Sequence, residues 1–215
     1  MIMKVYGATL SPMVRKVVVA LEMKGLEYEL DPVIPFHTPE GFEKISPLKR
    51  IPALEDGEVK LADSTIICEY LEDRYPDVAL YPTDPVLKAK ARWFEEYADT
   101  VLMKVTAEGL YFERVVKPLL GMETNEEKVQ KNLRDNMPST LQYMESVMPE
   151  NGFLLGESLM MADIAIGSNF INAGYAGFDP DAAQYPLFAA YLQRVKAHPA
   201  FQLRMKEDAK FINKE

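Results

Sequence analysis

Two places in the sequence put side chains that could do chemistry at the start of a helix. Ser11 stands directly before Pro12, and serine at the N-cap with proline at the first helical position is a strong signal for a helix start. Asp63 and Ser64 precede a run in which apolar residues recur at helical spacing. The unpaired N–H groups and the positive dipole end of a helix N-terminus attract an anion. We therefore expect a serine hydroxyl at one helix start and an anion-binding site at the other.

A hairpin that begins with a proline precedes the second of these helices. Ile51-Pro52 opens a short apolar run. Because proline cannot donate to a central sheet ladder, Pro52 belongs at a strand entrance or in a tight turn. The Asp56-Gly57 pair favours a tight hairpin turn, and residues 59–61 return as a second strand.

The remaining N-terminal residues predict two further strands. Residues 4–7 and 28–30 read as short strands on either side of the helix that begins at Ser11, and Gly25 ends that helix. The N-terminal part therefore reads β-α-β, loop, β-β-α.

A proline-rich stretch divides the chain. Three prolines fall within residues 76–85, which show no periodicity and are typical of a linker. We expect an α/β domain over residues 1–76, a linker over 77–85 and an all-helical domain over 86–215. The first helix of the second domain carries an apolar stripe at steps of three and four: Val86, Ala89, Trp93, Tyr97, Val101, Val105 and Phe112. Further helices are predicted over residues 125–147 with a kink or restart at Pro138, and over 162–173, 185–195 and 199–210.

The composition excludes several classes of function. A net charge of −9 and a pI near 4.9 argue against nucleic-acid binding, which needs basic patches. Cys68 is the single cysteine, so no internal disulfide can form, and two histidines leave little for a metal site. No apolar run is long enough to span a membrane, and there is no signal-peptide pattern. We expect a cytoplasmic protein without a nucleic-acid or membrane partner and without a metal.

The motifs resemble the glutathione-binding half of a cytosolic glutathione S-transferase. In that family a cis-proline follows the residue whose backbone pairs with the cysteinyl part of glutathione, and an acidic-Ser pair holds the γ-glutamyl end. Ile51-Pro52 and Asp63-Ser64 match those positions, although the family pair is usually Glu-Ser. The resemblance implies a thioredoxin-like α/β N-terminal domain followed by an all-α domain.

The stretch that begins at Ser11 is similar to the first helix of serine-type relatives, the theta, tau and phi group. In these enzymes the serine turns the glutathione thiol into a thiolate. A free thiol has a pKa of about 8.5, and lowering it by about two units requires roughly 2.7 kcal/mol. One hydrogen bond from a hydroxyl to a charged group supplies about 1.5–3 kcal/mol. Tyr6 is the alternative, because other classes use a tyrosine near the end of the first strand. The resemblance also implies that His37 and Arg50 meet the glycyl carboxylate.

The resemblance implies a glutathione transferase that uses glutathione as co-substrate, attacks an electrophilic and mostly apolar small molecule, serves detoxification and forms a homodimer. The second substrate is expected between the Ser11 loop and the first helix after the linker. Its candidate lining residues are Leu10, Met13, Met103, Tyr111, Phe112 and Val115. Two alternatives stay open. One is a glutathione-dependent dehalogenase, isomerase or peroxidase on the same fold, and the other is a binding or regulatory protein without enzymatic activity.

Overall fold

The computed structural model describes residues 2–34 and 38–212, and the chain divides into two compact units between Tyr81 and Pro82. In the first unit four strands form one sheet in the order β2-β1-β3-β4. β1 (Met3–Tyr6) runs parallel to β2 (Tyr28–Asp31) and antiparallel to β3 (Ala53–Asp56), which forms a hairpin with β4 (Val59–Ala62). The helices of this unit are α1 (Pro12–Met23), a single 3-10 turn (Phe42–Lys44) and α2 (Ser64–Arg74). The predicted order and the thioredoxin-like fold are confirmed.

Helix α1 is largely buried in the first unit. It begins at Pro12, which contributes the fixed φ and lacks an N–H that would have no partner in the first turn. Every residue from 14 to 21 is buried, including the charged Arg15 and Lys16. Gly25 follows the last turn with φ +67°, a conformation that favours glycine and ends the helix where the sequence predicts.

Gly7 allows the loops before α1 and β3 to approach each other. Its φ is +143°, and a Cβ at this position would lie 2.5 Å from Val14 Cγ2 and 3.2 Å from Ile51 Cβ. A side chain here would therefore push α1 away from the loop that carries Pro52.

The second unit is helical throughout its regular structure. A long helix starts as α3 (Pro85–Tyr97), continues with π-helical hydrogen bonding over Ala98–Val116 and closes with a turn at Lys117–Leu119. The helices that follow are α4 (Glu126–Asp135), α5 (Met137–Val147), α6 (Met161–Tyr175), α7 (Pro186–Ala197) and α8 (Pro199–Ile212). The restart expected near Pro138 is present, because α4 ends and α5 begins around Asn136.

The long helix leaves the first part of its apolar stripe exposed, whereas Val105 of the same stripe is buried. Val86 and Trp93 are exposed, whereas Ala91, Phe94 and Ala98 are buried. The two sets lie on different faces of one helix, and both are apolar. Apolar periodicity therefore located the helix but not the side that packs against its own unit.

In the residues that the structure describes, no helix is long and apolar enough to cross a membrane. The same residues contain no group of three or more His, Cys, Asp or Glu side chains arranged to hold a metal ion.

Candidate functional site

Ser11 occupies the N-cap of α1, but its hydroxyl does not cap the helix. The backbone is extended there, with φ −79° and ψ 128°, and the Ser11 carbonyl accepts the first helical hydrogen bond from the Arg15 N–H at 2.9 Å. The side chain is half-buried and makes no cap hydrogen bond. Within residues 2–34 and 38–212 the structure records no hydrogen bond of this hydroxyl. The hydroxyl is therefore available to a ligand beside the helix N-terminus.

Tyr6 is not in a comparable position. Its hydroxyl donates to the Glu55 carboxylate, and its ring belongs to a buried cluster with Val33, Phe42 and Ala53. Burial, reinforced by the hydrogen bond to Glu55, raises the pKa of Tyr6 well above its usual value. The raised pKa keeps the phenol protonated, and its hydrogen bond joins β1 to β3.

The loop before β3 is fixed by a serine that the sequence reasoning missed. The Ile51–Pro52 bond is cis, as the resemblance implied. Ser46 is fully buried, accepts from the Arg50 N–H at 3.0 Å and donates to the Arg50 carbonyl at 2.8 Å. This pair of bonds sets the backbone directly before Ile51. The Ser46-Pro47 dipeptide is itself a turn signal and could have identified the residue.

The structure describes one of the two residues that are expected at the glycyl carboxylate. Arg50 is exposed at the end of this loop, and its side chain can reach an anion in solvent. His37 lies outside the described residues.

Asp63 adopts a backbone conformation that is unusual for a residue with a side chain. Its φ is +83° and its ψ is 130°, at the N-cap of α2. Its Oδ1 accepts from the Thr65 N–H at 2.9 Å and the Ile66 N–H at 3.3 Å. Two of the helix N–H groups that could bind an anion are thus occupied by Asp63 itself, and the other oxygen, Oδ2, remains for a cationic group.

Ser64 lies directly beside Asp63 and is buried, with 4% of its surface exposed. Its hydroxyl is 3.5 Å from the sulfur of Met13, on the first turn of α1. The sequence assigned Met13 to the second-substrate pocket, and the structure places its sulfur beside the Ser64 hydroxyl. Sulfur is a weak acceptor, so the hydroxyl can turn toward a stronger one.

The other residues expected near the second substrate differ in how far they are buried. In the first unit Leu10 is half-buried. In the π-helical segment Tyr111 and Val115 are buried, while Met103 and Phe112 are half-buried. Cys68 is fully buried in α2 and is not part of a disulfide.

Comparison with known proteins identifies the family. Residues 5–79 match the model of the glutathione S-transferase N-terminal domain, and residues 111–203 match the model of the C-terminal domain. The chain belongs to the glutathione S-transferase family. A glutathione S-transferase from Hyoscyamus muticus is 34% identical over 171 residues, which are 75% of this chain and 78% of the relative. A maleylacetoacetate isomerase from Pseudomonas aeruginosa is 29% identical over 207 residues, 93% of this chain and 94% of the isomerase.

Solved structures of glutathione S-transferases share the fold. One from Rhodospirillum rubrum has a TM-score of 0.84 and 27% identity, and the match covers 94% of this chain and 91% of that chain. Another, from Methylobacterium radiotolerans, is a complex with glutathione sulfonate, with a TM-score of 0.77, 25% identity and 95% coverage of each chain.

Proposed function

We propose that this glutathione transferase binds glutathione in its first unit, within the domain predicted over residues 1–76, and activates the thiol with Ser11. The observation that carries the proposal is the Ser11 hydroxyl, which stands at a helix N-cap without capping it. A hydroxyl and a helix N-terminus aimed at one sulfur both favour the thiolate over the thiol. The serine itself does not need to ionise.

The remaining contacts follow the order of groups along the tripeptide. The backbone of Ile51, next to the cis bond, pairs with the cysteinyl part. Ser64 receives the α-carboxylate of the γ-glutamyl end through its hydroxyl and N–H, and Asp63 receives the α-amine. Arg50 and His37 meet the glycyl carboxylate.

The chemistry that follows is attack of the thiolate on an electrophilic, mostly apolar small molecule. Leu10, a half-buried apolar side chain of the first unit, suits contact with such a substrate. Loss of a leaving group from the electrophile, or addition across its double bond, completes the conjugation with no metal.

Isomerisation is the second candidate reaction, because one relative that matches nearly the full length is a maleylacetoacetate isomerase. There the thiolate adds to a double bond and leaves again after rotation, so glutathione is not consumed. The same thiol activation serves both reactions.

The assembly we propose is a homodimer, and the compartment is the cytoplasm. Trp93 is 56% exposed and Val86 63% exposed on one helix, a large apolar area for a surface helix and suited to a subunit interface.

Three measurements test the proposal together. Titration calorimetry with glutathione reports binding. A panel of aryl halides, haloalkanes, peroxides and a cis-dienoic acid then separates conjugation, dehalogenation, peroxide reduction and isomerisation. Glutathione consumption with an electrophile supports conjugation, product without consumption supports isomerisation, and the absence of glutathione binding would overturn the proposed function.

A further inference from the structure

A buried lysine lies behind the N-terminus of α2. Lys16, in α1, is 0% exposed, and its ammonium donates to the Thr65 hydroxyl at 3.0 Å. Thr65 follows Ser64 directly, and its own N–H is bonded to the Asp63 carboxylate at 2.9 Å. The ammonium is therefore connected through one side chain to the turn that carries Asp63 and Ser64.

That turn needs a positive charge if it is to hold a carboxylate. The Thr65 and Ile66 N–H groups are already bonded to Asp63, and Asp63 brings a negative charge of its own. The N-terminal dipole has to act against that charge. The Lys16 ammonium is bonded to Thr65, the residue that follows Ser64, so it brings a buried positive charge to this turn.

We propose that Lys16 is a positioning residue that gives the Ser64 site its preference for a carboxylate. It holds the Thr65 side chain and supplies the positive field, and it does not touch the reacting sulfur. Lys16 thereby sets selectivity for the free α-carboxylate at the γ-glutamyl end of glutathione. This inference rests on the proposed function.

The probe is a pair of ligands: glutathione, and glutathione in which the γ-glutamyl α-carboxylate is an amide. We expect the wild-type chain to bind glutathione about tenfold more tightly than the amide, which corresponds to about 1.4 kcal/mol. Lys16→Met keeps the length and apolar stem but removes the charge, and should reduce that ratio to about twofold. Lys16→Arg should keep most of it.

Lys24→Met is the matched control. Lys24, the C-cap residue of α1, is also a buried lysine, but it bonds Glu72 and the carbonyls of Tyr75 and Val78, close to the C-terminal end of α2. Its loss should lower stability and leave the ligand ratio unchanged. If Lys16→Met does not fold, Thr65→Val removes the same hydrogen bond at a half-buried position and should reduce the ratio in part.

The outcomes separate the two proposals. A wild-type chain that binds neither ligand overturns the proposed function. If the wild-type chain prefers glutathione over the amide and Lys16→Met shows the same preference, the role of Lys16 is overturned and the proposed function is not. Equal weakening of both ligands in Lys16→Met and Lys24→Met likewise contradicts the proposal, because it reports a structural effect.

Discussion

The hydroxyl of Ser64 lies 3.5 Å from the sulfur of Met13, and this contact joins the first turn of α2 to the first turn of α1. The helix that carries Ser11 and the helix that carries Asp63 thus meet where glutathione is proposed to bind. Because Met13 contacts the Ser64 side chain, its substitution should weaken binding of the γ-glutamyl end of the ligand.

Met13→Ala should therefore weaken glutathione binding by about threefold, or about 0.7 kcal/mol, because Ser64 loses a packing partner. Met13→Leu restores the volume without the sulfur and should bind within about twofold of the wild type. Titration calorimetry of both variants measures the effect. Binding in Met13→Leu as weak as in Met13→Ala would assign the contact to the sulfur and contradict a packing role.

Asp63 combines a cap, a charge and an unusual backbone, and two substitutions separate them. Asp63→Ala removes the cap and should cost about 1 kcal/mol of folding free energy. It should also weaken glutathione binding by roughly 1.5–3 kcal/mol, since the α-amine loses a charged partner. Asp63→Asn keeps a good N-cap and tolerates positive φ, so it should bind weakly yet unfold like the wild type. Wild-type affinity in Asp63→Asn would remove Asp63 from the site.

Ser46 should stabilise the loop before Ile51 more than its small side chain suggests. Ser46→Ala leaves the Arg50 N–H and carbonyl without their partner and should cost about 1–2 kcal/mol of unfolding free energy. Glutathione binding should weaken as well, because the Ile51 backbone is less ordered. Ser139→Ala is the control, since Ser139 is exposed and bonds only a helix-end carbonyl. Chemical denaturation measures the stability of both variants, and titration calorimetry measures their glutathione binding. Equal stability of the two variants would show that the Ser46 hydrogen bonds do not stabilise the loop.

Glu113 makes the second unit sensitive to acid. Burial by itself raises the pKa of Glu113, but hydrogen bonds from Lys117 at 2.6 Å, Lys128 at 2.8 Å and the Asn125 N–H at 3.1 Å outweigh it. The pKa falls from 4.5 to about 2. Because the folded-state pKa is depressed, this carboxylate stabilises the fold above pH 4.5, and the contribution is lost as the pH falls from 4.5 to about 2.

Glu113→Gln should therefore lower the free energy of unfolding by about 3 kcal/mol at neutral pH. Its stability should also depend less on pH in the acid range. Glu126→Gln is the control, because Glu126 is exposed and pairs with Arg114 at the surface. Its effect should be small and should decrease with salt. Urea unfolding at several pH values measures both, and parallel acid slopes for Glu113→Gln and the wild type would contradict the assignment.

The sequence predicts those features of the chain that depend on neighbouring residues. Ser11-Pro12, the Asp56-Gly57 turn and the Gly25 stop are local signals, and each appears where it is expected. The cis bond at Pro52 followed from the resemblance, since nothing local distinguishes a cis from a trans proline.

The features that the sequence does not reveal depend on contacts between distant residues. Met13 and Ser64 are 51 positions apart, and Lys16 and Thr65 are 49 apart. Apolar spacing indicated a helix over residues 86–117 but not its π-helical part, in which the Lys117 N–H bonds the carbonyl of Phe112. The sequence does not show that a polar helical residue such as Lys16 is buried, because its burial depends on packing against another helix.

The identity of the thiol-activating hydroxyl is the central claim, and thiolate absorbance against pH tests it for glutathione bound to the wild type, Ser11→Ala and Tyr6→Phe. Ser11→Ala should raise the pKa of the bound thiol by about one to two units, or roughly 1.4–2.7 kcal/mol, while leaving glutathione affinity nearly intact. Tyr6→Phe should leave the pKa unchanged, because the Tyr6 phenol is bonded to Glu55. A shifted curve for Tyr6→Phe with an unshifted curve for Ser11→Ala would contradict the account.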